Sequence, residues 1–248
     1  MSNRQFPEPL PIDAVLDDVR AALRSSGSAV LVAAPGAGKT TRVPLALLDE
    51  AWRGNGKILV LEPRRIAARA AAERMVVTTG GRLGEDIGLR ARLNSRTGPG
   101  VAVEVITEGV FTRMILDDPG LSGVGAVLFD EFHERSLDAD LGLALALDSQ
   151  RSLRDDLRIL PMSATLDGAR VAELLGHAPV VASEGRAFSI ETRYLGRDAN
   201  SRIEPQIASA VLKALRADQG SALVFLPGAA EIRRTQNFLA ERVQDAST

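Results

Sequence analysis

The stretch APGAGKTT, residues 34–41, sets two glycines ahead of a lysine and two threonines, directly after the apolar run SAVLVAA. Its spacing fits G-x-x-x-x-G-K-[ST], with Ala33 in place of the first glycine. These residue types suit the binding of phosphate. Gly36 and Gly38 let the backbone approach closely, and a helix starting here presents free amides and the positive end of its dipole. Lys39 would reach the β and γ phosphates of a nucleotide, and the Thr40 hydroxyl would bind Mg²⁺. Ala37 and Thr41 complete the loop. The alternative is an incidental glycine turn capping a helix; the strand-like run before it and the helical run VPLALLDEA after it argue against that.

A second cluster stands in VLFDEFHERS, residues 127–136. A core strand rarely ends in two adjacent carboxylates unless an opposite charge offsets them. Beside a phosphate loop, Asp130 would hold Mg²⁺, partly through its water shell. Glu131 would orient and deprotonate a water attacking the γ phosphate. The competing reading is that DEFHERS opens a helix, where acids are favoured in the first turn.

The rest of the composition limits the classes of function. The chain has 248 residues, 45% hydrophobic and 25% charged, with net charge −2 and no cysteine. Disulfides and thiolate metal sites are excluded. No apolar run approaches the ~18 residues of a membrane span, and the N-terminus MSNRQFPEPLPID lacks a secretory signal's apolar stretch. A cytoplasmic protein is expected. The near-neutral balance gives no bulk attraction to polyanions, so nucleic acid could be held only by a local patch. PRR, residues 63–65, offers one: Arg64 and Arg65 can form forked hydrogen bonds to backbone phosphates. They could equally be a solvated helix start paired with Glu62 or Glu73. The two histidines, His133 and His177, belong to no metal-ligating cluster.

Apolar runs alternate with helical patterns along the chain: SAVLVAA, KILVLEP, IGLRARL, VAVEVIT, VGAVLFDE, LRILPMSAT and APVVA read as strands, with helices between most of them. This predicts an α/β fold, a mostly parallel RecA-like sheet covered on both faces, with its ligand site at the strands' carboxyl ends. Residues 1–182 would form that domain, 183–186 a linker, and 187–248 the opening part of a second one. In the second, FSIETRYL and SALVFLPG are expected as strands and IEPQIASAVLKALR and AAEIRRTQNFLAERV as helices.

With these motifs in hand, the chain resembles the DEAH/RHA helicases of superfamily 2, and within them the bacterial HrpB-type group. DEFH (130–133) is similar to the DEAH box, SAT (163–165) to the third motif, TEG (107–109) and PRR to motifs on the nucleic-acid side, and LVFLPG (223–228) to the fourth motif. The resemblance implies an ATP-dependent helicase acting on single-stranded RNA or DNA, using ATP and Mg²⁺, with no membrane partner and a monomer expected. It gives Lys39, Asp130, Glu131 and His133 to catalysis, Thr40 and Asp130 to the metal, and Arg74 to stacking on adenine. It assigns Arg64, Arg65, Thr107 and Glu108 to the nucleic-acid backbone, and Ser163, Ala164 and Thr165 to coupling. Phe132 stands where the family has a small residue, and Leu89 where relatives often carry an aromatic one. Nothing after residue 228 resembles the motif that supplies an arginine finger, so slow hydrolysis is expected of this chain. A nucleotide-binding module without useful turnover, or a phosphate-loop ATPase of another task, are the remaining alternatives.

Overall fold

Strands β1 (Val30–Ala33), β2 (Lys57–Glu62), β3 (Ile87–Ala91), β4 (Asn94–Arg96), β5 (Val103–Thr107), β6 (Val124–Phe129), β7 (Arg158–Ser163) and β8 (Val180–Ser183) form one sheet. Their order is β4-β3-β5-β2-β6-β7-β1-β8, and every pairing is parallel except β3 with β4. This is a computed structural model, describing residues 6, 8–92, 94–165, 168–184, 189–240 and 242–243. The chain divides into two compact units, Met1–Ala187 and Phe188–Thr248; the first contains the whole sheet.

Two-sided burial explains why the central strands are unbroken apolar runs rather than alternating ones. Ile58 and Val60 of β2 cluster with α1 (Leu16–Ser26), α2 (Lys39–Ala46) and α3 (Arg65–Thr79). Their neighbours Leu59 and Leu61 cluster with α4 (Glu108–Asp117), α5 (Leu137–Ser152) and α6 (Gly168–Leu174) on the other face. In β6, Ala126 and Leu128 go one way and Val127 and Phe129 the other. Each Val, Leu, Ile or Phe among them contributes about 1.5–3 kcal/mol by leaving water.

Parallel pairing has a consequence for function. It brings the carboxyl ends of β1, β2, β3, β5, β6 and β7 to one edge of the sheet. The loops leaving that edge begin at Ala34, Pro63, Arg92, Glu108, Asp130 and Ala164, and they carry all the motifs of the sequence reading except the fourth. α2 begins at Lys39, so its N-terminus abuts the phosphate loop directly, as the motif requires. One local feature differs from expectation. β4 was not expected; it folds back antiparallel on β3.

The second unit has α7 (Ile203–Ala217) and α8 (Ala229–Ala240), joined by an Arg234–Glu204 hydrogen bond. Neither expected strand forms among its described residues. Ala222, Val224 and Leu226 line a groove with residues of both helices, while Leu223 and Phe225 are 81% and 85% exposed. The alternation is that of a strand, but a strand exists only through a ladder, and among the described residues no neighbouring segment supplies one. Ile190, Tyr194 and Leu195 in the first segment are exposed likewise. Gly185, Arg186 and Phe188, where the linker and first strand were expected, lie outside the described residues. Among the described residues no helix is long and apolar enough to cross a membrane.

Candidate functional site

β1 ends buried at Ala33, and the chain turns through Gly36 (φ 76°) and Gly38 (φ 97°) into α2. Both angles lie in the left-handed region, which costs glycine little. Above Gly36 there is open space within 4 Å, leaving the backbone accessible to a ligand. Ala37 closes the loop by donating to Ala34 O at 3.1 Å, and Thr41 N donates to Gly38 O at 3.3 Å.

The acidic pair arrives from β6. Asp130 N donates to Leu61 O at 3.0 Å, extending the β2–β6 ladder one residue past the strand. Thr40 Oγ1 then donates to Asp130 Oδ2. Lys39 Nζ donates to Glu131 Oε1 at 2.8 Å and lies 3.9 Å from Asp130 Oδ1. Glu131 adopts φ 48°, unusual for a residue with a side chain. Such strain, of order 1–3 kcal/mol, persists where the surroundings dictate the geometry; here the residue bends from strand into a short 3₁₀ turn, Phe132–Glu134.

Burial shapes the charges. Asp130 is 2% exposed; burial raises its pKa, opposed by the Lys39 ammonium and the Thr40 hydrogen bond. Glu62, at the end of β2, is pushed up to about 9, first by burial and then by the adjacent Asp130 carboxylate, with which it shares a hydrogen bond. Three carboxyl groups therefore surround one buried ammonium. That donor set fits a divalent cation: the oxygens of Thr40 and Asp130 are adjacent, and Mg²⁺ selects hard oxygen ligands. No group of three His, Asp or Glu among the described residues could cage a metal alone, which suits an ion that shares its shell with phosphate and water.

His133 connects this centre to β7. Its Nδ1 accepts from Ala164 N at 3.2 Å and lies 3.4 Å from Glu131 Oε2. One nitrogen cannot accept from the first and donate to the second at once, so the ring has two alternative partners. Ser163 Oγ accepts from Thr165 N at 3.2 Å. His133, Ser163 and Thr165 line one cleft of about 480 Å³ together with Phe132, Arg135 and Arg170. Phe132 itself turns inward, edge-on to Phe129 at 6.1 Å between ring centroids.

Further along the same edge, Arg65, Arg92, Thr107, Gly109, Val110 and Arg113 surround a cleft of about 770 Å³. Arg64 is tied to Glu134 at 2.8 Å in an exposed pair. Neither of the acids considered as partners of the two arginines serves Arg64: Glu62 faces Asp130, and Glu73 binds Arg69 at 2.7 Å. Glu108 does not line the cleft. It accepts from Ser136 Oγ, the N-cap of α5, at 2.5 Å, and burial raises its pKa. Arg74 is largely exposed on α3, 3.8 Å from Glu8. The sequence reading missed Glu62 as a member of the acidic group, and Arg92 and Arg113 as members of the basic cleft. Arg92 follows a parallel strand, and Arg113 lies one helical turn beyond Gly109; both signals were readable.

Comparison with known proteins bears on the family and the fold. The family model described as DEAD/DEAH box helicase matches residues 17–174. The ATP-dependent RNA helicase HrpB of Escherichia coli (strain K12) is 52% identical over 234 residues, covering 94% of this chain and 29% of that protein. A crystal structure of Escherichia coli DEAH/RHA helicase HrpB superposes with TM-score 0.88 at 51% identity, covering 96% of this chain and 30% of that one. A second, of the E. coli DExH-box NTPase HrpB, gives TM-score 0.75 at 50% identity over 98% of this chain and 29% of that one. The chain thus spans about 30% of the length of these relatives. An eight-stranded, mostly parallel sheet with a glycine-rich loop and a DEFH box at its carboxyl edge, matched by that family model, places this chain in the DEAD/DEAH box helicase family.

Proposed function

We propose that this chain is the nucleotide-binding N-terminal part of an ATP-dependent RNA helicase of the DEAH/RHA type. The observation that carries the reading is the meeting of Lys39 and Thr40, from one strand end, with Glu131 and Asp130, from another. Gly36, Ala37, Gly38 and Thr41 complete the loop that receives the phosphates, and Arg74 serves the adenine side. Thr40 and Asp130 would hold Mg²⁺, which neutralises phosphate charge when bound. The Lys39–Glu131 pair is the resting arrangement: an arriving triphosphate takes the ammonium, and Glu131 is released to accept a proton from water. His133 then exchanges partners between Glu131 and Ala164, passing the state of the site to Ser163 and Thr165.

The arginine cleft is the second half of the proposal. Arg65, Arg92 and Arg113, with Arg64 available by exchange from Glu134, would grip the phosphates of single-stranded RNA without reading its bases. An exposed ion pair such as Arg64–Glu134 is worth only about 0–1 kcal/mol and yields readily. Thr107 contributes from the cleft wall, and Glu108 acts by fixing α4 to α5. Hydrolysis by Lys39, Glu131 and Mg²⁺ without an arginine finger is slow, since such a finger is worth about 10³–10⁵ in rate.

Glu131→Gln tests the catalytic assignment. Mg·ATP affinity should stay within about threefold, and the slow single-turnover hydrolysis should fall by about 10² or more. Hydrolysis unaffected by Glu131→Gln would overturn the role given to this residue.

A further inference from the structure

The phosphate loop does not stand alone. Ile12 N donates to Ala37 O at 3.2 Å, so the segment before the sheet is hydrogen-bonded to the loop itself. A Cβ on Gly38 would sit 2.5 Å from Leu10 Cδ1 and 3.3 Å from Ile12 Cγ2. Leu10 and Ile12 therefore form the floor on which Gly38 rests, and the loop's shape depends on that floor staying in place.

Arg42 keeps it there. This arginine lies on α2, three residues beyond Lys39, and is only 5% exposed. Its Nη2 donates to Glu8 O. Its guanidinium stands 4.1 Å from the centroid of the Phe6 ring, within cation–π range. Its Nε is 3.9 Å from Asp13 Oδ1, and Asp13 Oδ2 accepts from Leu10 N at 2.8 Å. Ser183 Oγ, at the end of β8, donates to Pro11 O at 3.1 Å and holds the same turn from the other side. Yet Arg42 Nη1 and Asp13 Oδ1 are buried without a hydrogen-bond partner. Burying an incompletely satisfied charge is a poor way to gain stability, so stability alone does not account for an arginine here.

We propose that Arg42 is a positioning residue for nucleotide. By clamping Phe6, Glu8 and Asp13 to α2 it presses Leu10 and Ile12 against Gly38 and Ala37, and so fixes the loop in its phosphate-receiving form. This rests on the nucleotide reading above. Arg42 touches no phosphate in this scheme; it acts through the segment it holds.

The test uses the whole chain, Mg²⁺ and a fluorescent ATP analogue, with affinity and thermal midpoint measured on each variant. Arg42→Met keeps the apolar stem and removes the fork. Its affinity should fall about tenfold, as expected when a binding loop loses its pre-organisation, while the thermal midpoint stays close to that of the unaltered chain. Arg42→Lys should recover part of the affinity. Phe6→Ala should weaken binding less, and the double variant should bind no more weakly than Arg42→Met, because both act on one strut. Affinity of Arg42→Met equal to the unaltered chain's, or effects of the two changes that multiply, would overturn the proposal. Should Arg42→Met fail to fold, Leu10→Ala asks the same question: weakened binding supports the strut and unchanged binding overturns it. No binding by the unaltered chain would remove the nucleotide reading, and this inference with it.

Discussion

Glu62 closes β2 beside the acidic pair. It precedes PRR and looks like a surface acid, but it is 3% exposed and faces Asp130. Folding raises its pKa from 4.5 to about 9, so between those values the native state holds a proton that the unfolded chain has released. Stability from this group is greatest below pH 4.5 and declines as pH rises toward 9, by up to about 1.4 kcal/mol per unit. Glu62→Gln removes the decline. Thermal midpoints from pH 5 to 8 should show the variant gaining steadily on the unaltered chain, and a constant difference would contradict the assignment. Phe132 is a second case. Its ring is buried to 4% and packs on Phe129. Phe132→Ala should cost about 3 kcal/mol in a denaturant titration, while nucleotide affinity changes little. A near-zero cost would mean the core closes over the gap.

At the scale of elements, the apolar runs were legible because two-sided burial forbids polar residues in them. Their order in the sheet was not, since it depends on which helices cover which face. What could be read was the general rule that parallel strands deliver ligands' partners at their carboxyl ends, and it located the loop at Gly36–Lys39, the acids and SAT. Applied to IGLRARL the same rule points to Arg92, the first residue past β3 and part of the cleft lining. Glu108 illustrates what a motif leaves out: Ser136 Oγ donates to its carboxylate and links α4 to α5. The cleft makes a quantitative prediction. For single-stranded RNA each phosphate contact adds about −0.7 to the slope of log affinity against log salt. Arg92→Ala and Arg113→Ala should each make that slope shallower by about 0.7 and weaken all RNA sequences alike. Unchanged slopes would place the RNA elsewhere.

At the scale of the molecule, the two units differ in how completely their apolar runs are covered. In the first, β2 and β6 are covered on both faces. In the second, Leu223 and Phe225 face outward although the run LVFL reads like a buried strand. Hydrophobic pattern showed that this segment wants a sheet, but pattern alone carries no information on whether pairing partners are at hand. Replacing Leu223 and Phe225 by serine should reduce binding of an apolar dye and leave nucleotide affinity as it was, because the loop, its floor and both acids belong to the first unit. The central claim is the convergence of the glycine loop and the acidic pair on one Mg-bound triphosphate. Its most direct test is equilibrium titration of the chain with a fluorescent ATP analogue, with and without Mg²⁺, beside Lys39→Ala and Asp130→Asn. Saturable binding that needs Mg²⁺, is abolished by the first change and loses its Mg²⁺ dependence with the second is the predicted result; binding indifferent to Lys39 and to the metal would contradict it.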